Sequence, residues 1–142
     1  MVSVTRYHDI SCGHRVYGHE SKCARLHGHN YRVTFTLTGT NGTSLDSLGR
    51  VIDFGVIKST LCAWLELNWD HNFILWDQDP AVATLKVLDS TVVTVPFNPT
   101  AENLGQYLLD VVGPLQLEGT GAELIEVDVQ ETRKCSATVR KG

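Results

Sequence analysis

The stretch CARLHGH, residues 23 to 29, sets a thiol four positions ahead of the first of two histidines that flank one glycine. On an extended backbone, residues i and i+2 point to the same side. His27 and His29 therefore face one space if the strand pattern that follows them reaches back this far. Two imidazoles at that spacing can bring two nitrogens to one metal ion, and Gly28 between them removes side-chain bulk. A third imidazole stands in CGHRV, where His14 shares parity with Ile10 and Cys12. Three neutral imidazoles and one open position describe a catalytic zinc site. The alternative is a set of ordinary polar histidines in a loop, the reading that also suits His8 and His19. Cys23 has two readings of its own: a fourth ligand that closes the shell into a structural site, or a thiolate base kept beside the metal.

A second cluster, WDHNF, places Asp70 next to His71 just past a helical segment. A carboxylate there can orient an imidazole that handles protons, or it can be a helix-end turn residue. Glu131 has the parity of Ile125, Val127 and Val129, so an inward apolar row ends in a carboxylate. A buried carboxylate needs a cation or fixed NH donors. A ligand edge with two NH groups on one carbon would satisfy it in bidentate fashion. If the parity fails at the strand end, Glu131 is simply solvated.

These residues need elements to position them. Val2 to Cys12 mixes β-branched and polar residues and reads as a strand, followed by a loop over Gly13 to Leu26. Tyr31, Val33, Phe35 and Leu37 then alternate with Arg32, Thr34, Thr36 and Thr38, which predicts a half-buried strand. GTNGTS carries the hairpin signal Asn41-Gly42, with a return strand near Arg50 to Asp53. Ile57, Leu61, Trp64, Leu65 and Asn68 share a helical face, capped by Asp53, in a helix that runs to about Trp69. A short strand around Val92 to Val95 precedes a second helix, capped by Thr100, with Leu104, Tyr107, Leu108 and Val111 on one face and Gly113-Pro114 closing it. AELIEVDVQET alternates as a last strand. The pattern is α+β with an antiparallel sheet.

Composition limits the function classes. At 142 residues the chain is expected to form one domain, 1–142, with a single core. Hydrophobic residues at 42 % and charged residues at 20 % fit a globular chain rather than a disordered one. Twelve Lys+Arg against sixteen Asp+Glu, a formal charge of -4, argue against nucleic acid as a partner. No apolar run approaches a membrane span and the N-terminus has no signal-peptide pattern, so a cytoplasmic protein is expected. Cys12, Cys23, Cys62 and Cys135 form no CxxC pair, and free thiols are expected. Cys62 and Cys135 read as apolar filler or surface thiols.

Taken in order, His14, the CxxxHGH run of Cys23, His27 and His29, the pair Asp53-Phe54, Asp70-His71, PTAEN at 99 to 103 and Glu131-Thr132 resemble the 6-pyruvoyl-tetrahydropterin synthase superfamily. The resemblance covers nearly the whole chain. It implies the tunnelling fold, an antiparallel four-stranded sheet with two helices on one face, whose subunits join into a β-barrel as a homohexamer or tetramer with sites at subunit interfaces. It also implies zinc on His14, His27 and His29, Cys23 as catalytic base, and Asp70 with His71 as a second proton relay. Glu131 would anchor a pterin, with Thr132 and Thr100 as further substrate contacts.

Within the superfamily, cysteine spacing separates branches. A cysteine four residues before the first histidine of HGH is similar to the 6-carboxy-tetrahydropterin synthases of 7-deazaguanine (queuosine) synthesis; the pyruvoyl branch places the thiol further upstream, and position 21 here is Ser21. The implied reaction converts 7,8-dihydroneopterin triphosphate to 6-carboxy-tetrahydropterin, acetaldehyde and triphosphate. Lys22, Arg25, Arg133, Lys134, Arg140 and Lys141 are candidate triphosphate contacts, or a solvated basic face. One departure is Cys12, which stands where the resemblance leads one to expect alanine and could compete for the metal.

Overall fold

The alternation of the YRVTFTL segment extends in both directions in the computed structural model, which describes residues 1–40 and 45–142. Strand β2 spans His27–Gly39 and lies antiparallel to β1, Ser3–His14, in a register that runs from Ser3 opposite Thr38 to His14 opposite His27. Both strands are longer than the sequence pattern indicates, because backbone pairing carries them past the last alternating side chain. The expected loop over Gly13 to Leu26 is shortened accordingly, and holds one short 3₁₀ turn, Lys22–Ala24.

Four further strands follow: β3 (Phe73–Trp76), β4 (Val93–Val95), β5 (Ala122–Thr132) and β6 (Cys135–Arg140). The sheet order is β4-β3-β1-β2-β5-β6. The sheet thus has six strands, not the expected four. Strands β1, β2, β5 and β6 form an antiparallel set, while β3 runs parallel to β1 and β4 parallel to β3. The predicted return strand near Arg50 to Asp53 is irregular backbone, organised by Asp46 accepting from the amides of Leu48 and Arg50. The Asn41-Gly42 hairpin signal lies outside the described residues.

Helix α1 covers residues 54–68 and contains a π turn at Lys58–Cys62; Asp53 caps it, its carboxylate accepting from Gly55 N at 2.8 Å. A short helix, α2, spans Val82–Leu88. Helix α3 covers residues 101–116, with Thr100 accepting from Asn103 N at 3.1 Å and a π turn at Leu108–Val112. The extra residue of a π turn rotates the downstream face. Val112 is therefore buried where Val111 was expected, and Val111 is exposed. Gly113-Pro114 does not close the helix: Gly113 packs so tightly that a Cβ there would lie 2.7 Å from Leu124 Cδ2. Ile57, Leu61 and Leu65 of α1 and Leu104, Leu108 and Val112 of α3 cover one face of the sheet, against Tyr31, Val33, Phe35, Leu37, Val127 and Val129. Cys62 is buried filler and Cys135 is exposed, as expected of each. Among the described residues, no helix is long and apolar enough to cross a membrane.

One ion pair ties the end of β1 to the loop after β3. Arg15 Nε and a terminal nitrogen donate to the two oxygens of Asp79 at 2.7 and 2.5 Å, and the Asp79 side chain is fully buried. The guanidinium holds the Asp79 carboxyl below its usual range, with burial opposing and the Ala81 amide assisting. A depressed folded-state pKa contributes stability above the unfolded value, near 3.9, which is lost as pH falls through the folded one. Asp79→Asn is expected to lower unfolding free energy by about 3 kcal/mol at neutral pH. In urea titrations, the gap to the parent should shrink as pH is lowered through about 4.

Candidate active site

The register of β1 and β2 brings the three histidines together. His14 lies opposite His27 and Cys12 opposite His29, and the inward parity puts all three imidazoles on the helix-covered side. Ring centroids are 4.5 Å apart for His14 and His27, 4.9 Å for His27 and His29, and 5.1 Å for His14 and His29. One nitrogen from each lies within 4.8 Å of the others. Both neighbouring glycines matter to this approach. A Cβ on Gly28 would meet the Cys12 carbonyl at 3.1 Å, and one on Gly13 would strike the Phe73 ring at 2.3 Å.

Hydrogen bonds fix the tautomers. His14 Nδ1 donates to the Pro99 carbonyl and His27 Nδ1 to the Arg25 carbonyl, each at 2.7 Å. A carbonyl only accepts, so Nδ1 carries the proton and Nε2 keeps its lone pair in the neutral ring. His29 Nε2 is buried with no hydrogen-bond partner. Burial pushes both His14 and His29 below the usual histidine pKa, outweighing the opposite pull of Glu131 and, for His14, of the Pro99 carbonyl. Neutral imidazoles with free lone pairs and one orphaned buried nitrogen fit a metal ion such as zinc.

The thiols stand outside this tight cluster. Cys23 is half-buried in the 3₁₀ turn, where its carbonyl accepts from Val16 N at 2.7 Å. Cys12 is buried, and burial, with the charges of Asp70 and Glu131 adding, pushes its thiol up to about 12. It remains a protonated thiol at neutral pH. The Tyr31 hydroxyl is held above the usual tyrosine range by burial first, with its neighbours Cys12 and Glu131 adding.

Asp70 and His71 are held at the edge of β1. Asp70 Oδ1 accepts from Ser11 N at 2.9 Å, Oδ2 meets His71 Nδ1 at 2.8 Å, and His71 N donates to Ser11 O at 2.6 Å. Burial works against the Asp70 charge, but the Ser11 and His71 hydrogen bonds outweigh it and lower the pKa. His71 adopts φ of 60°, a left-handed conformation uncommon for a residue with a side chain. Its ring is 81 % exposed and lines grooves with Ser11, Asn30, Asp9 and Arg32, residues of the opposite parity to the histidines, although one of these grooves also touches Cys12 and His29. Within one chain, His71 and the three imidazoles are on opposite faces of the sheet.

Glu131 reaches the histidine side, although by a different row from the one expected. A bulge in β5 interrupts the alternation, so Leu124 is buried, Ile125 is only half-buried, and Val127, Val129 and Glu131 continue inward. Glu131 Oε1 is 3.7 Å from His14 Nε2, 3.9 Å from His29 Nε2, and accepts from the Tyr31 hydroxyl at 3.3 Å. Tyr31 reads from the sequence as a core aromatic, and its parity with His27 and His29 is the signal that it shares their side. Thr100 caps α3 one residue beyond the Pro99 carbonyl that holds His14, and Thr132 accepts from Lys134 N at 3.2 Å. Arg140 and Lys141 are paired with Glu126 and Glu123.

A mixed six-stranded sheet, antiparallel over β1, β2, β5 and β6 and backed by α1 and α3, with three imidazoles converging beside a carboxylate at one end, defines a T-fold protein with a metal-type site. Residues 3–142 match the family described as 6-pyruvoyl tetrahydropterin synthase, and the chain belongs to that family. It is 34 % identical over 142 residues to a 6-carboxy-5,6,7,8-tetrahydropterin synthase of Rickettsia bellii, covering 98 % of this chain and 100 % of the relative. An uncharacterized protein from Wolinella succinogenes superimposes with a TM-score of 0.85 at 22 % identity, covering 99 % of this chain and 98 % of the other. The 6-pyruvoyl tetrahydropterin synthase of Caenorhabditis elegans does so with a TM-score of 0.69 at 24 % identity, covering 99 % and 96 %. These two likenesses concern the fold.

Proposed function

We propose that this chain is a zinc-dependent 6-carboxy-5,6,7,8-tetrahydropterin synthase, a carbon–carbon lyase of 7-deazaguanine synthesis. It would convert 7,8-dihydroneopterin triphosphate and water to 6-carboxy-tetrahydropterin, acetaldehyde and triphosphate. The observation that carries this reading is the convergence of the three imidazoles of His14, His27 and His29 beside Glu131. The names of the relatives and the four-residue spacing of Cys23 to His27 favour the carboxy product.

Zinc on His14, His27 and His29 would act as a Lewis acid toward the hydroxyls of the substrate side chain. Glu131 would accept the paired NH donors of the pterin edge and so fix the side chain against the histidines. Cys23 would take a proton from that side chain, and His71, oriented by Asp70, would exchange one on its other side. Because His71 faces away from the histidines of its own chain, it would serve those of a second copy. The site is then composite, and the enzyme an obligate oligomer, with a hexamer as the proposed assembly.

The second reading is a 6-pyruvoyl-tetrahydropterin synthase on the same scaffold, favoured by the family match itself. Product analysis separates the two. Zinc-loaded protein incubated with 7,8-dihydroneopterin triphosphate is expected to release acetaldehyde and a 6-carboxy pterin, identified by mass. A pyruvoyl pterin without acetaldehyde would move the protein to the other branch, and no turnover by metal-loaded oligomer would refute both.

A further inference from the structure

We infer that Tyr31 is a positioning residue whose buried hydroxyl fixes the carboxylate of Glu131 for ligand recognition. The inference rests on the proposed reading of Glu131 as the pterin anchor. Tyr31 is 2 % exposed, and its ring stands edge-on to both His14 and His29, at interplanar angles of 83° and 84°. Its hydroxyl oxygen lies 3.2 Å from His14 Nε2 and 3.3 Å from Nδ1. Such nearly equal distances place it midway between the two nitrogens, off the lone-pair axis of either. Nδ1 is in any case committed to the Pro99 carbonyl. The hydroxyl proton therefore goes to Glu131 Oε1, at 3.3 Å.

That bond selects one carboxylate oxygen and one orientation. Oε1 is also the oxygen nearest the two imidazoles. A carboxylate offers about four lone-pair sites, and Tyr31 uses one, so both oxygens can still accept from the paired NH groups of a pterin edge. Without the hydroxyl, Glu131 keeps its charge but loses the donor that holds it in register. The loss should appear in ligand binding, because the reacting side chain is untouched and His14 stays oriented by the Pro99 carbonyl.

Tyr31→Phe keeps the ring and its packing, and Glu131→Gln removes the anchor charge. Neopterin, an oxidised and unreactive pterin, reports binding by its fluorescence. Tyr31→Phe is expected to weaken neopterin binding and raise KM by about tenfold, the scale of one hydrogen bond to a charged group. The kcat should stay within about twofold and the metal content should be unchanged. In a Glu131→Ala background, which removes the acceptor altogether, Tyr31→Phe should add less than about twofold, since two residues acting through one bond are not additive. Multiplying effects, parent-like binding by Tyr31→Phe, or loss of metal in that variant would each overturn the inference. Parent-like binding by Glu131→Gln would instead overturn the anchor reading, and the inference with it.

Discussion

Cys23→Ala is expected to keep its full metal content and lose turnover by about 10³-fold, within the range for removal of a positioned general base. Tight convergence within 4.8 Å includes one nitrogen each from His14, His27 and His29, and neither Cys23 nor Cys12. Two of these imidazoles already have their other nitrogen fixed by a backbone carbonyl, so the donor set is oriented without a sulfur. Cys23 is carried by a separate 3₁₀ turn that is hydrogen-bonded to Val16. Alanine there removes a thiol and leaves the strand register intact. Metal content by atomic absorption and turnover on the dihydroneopterin substrate should therefore part company in this variant. Loss of metal together with activity would make Cys23 a ligand, and would favour a closed structural site over a catalytic one.

The legible parts of this site were those set by local rules. Parity along β2 placed His27 and His29 on one side, and parity along β1 added His14, because antiparallel pairing keeps opposite residues on the same face. Asp53 and Thr100 were readable as caps for the same reason: each bonds an amide two or three residues on. Non-local features were not readable. The four residues FILW become β3 only by parallel pairing with the end of β1, a partner some sixty residues away in sequence. The β5 bulge changes which residues face inward without any glycine to mark it, and this is why Ile125 was misassigned while Glu131 was not. Similarly, the π turn in α3 exchanges Val111 for Val112 with no change of composition. Tyr31 was hidden by its type, since an aromatic at a core position gives no sign that its hydroxyl will meet a carboxylate.

The opposed faces of His71 and the imidazole cluster lead to an expected rescue. Cys23→Ala and His71→Ala should each be nearly inactive alone, but a 1:1 mixture refolded together should recover about one quarter of parent activity. In a heterologous assembly each site would draw its cysteine from one subunit and its His71 from the next. With random mixing, both are intact in about half of a half of the sites. The facing of the strands is the reason for expecting this: Ser11, Asn30, Asp9 and Arg32, which line grooves with His71, have the parity opposite to His14, His27 and His29, and of the three imidazoles His29 reaches the edge of one of these grooves. Rotation of the His71 side chain alone cannot carry it across β1, whose backbone holds its amide through Ser11. A mixture of Cys23→Ala with His29→Ala is the control, because each site would draw both of these residues from one subunit and no site would be whole. Recovery in the first mixture and not in the control would establish a composite site. Failure of both, with oligomers formed normally, would require the relay and the base to act within one chain, a geometry that the opposed faces of β1 and β2 do not provide.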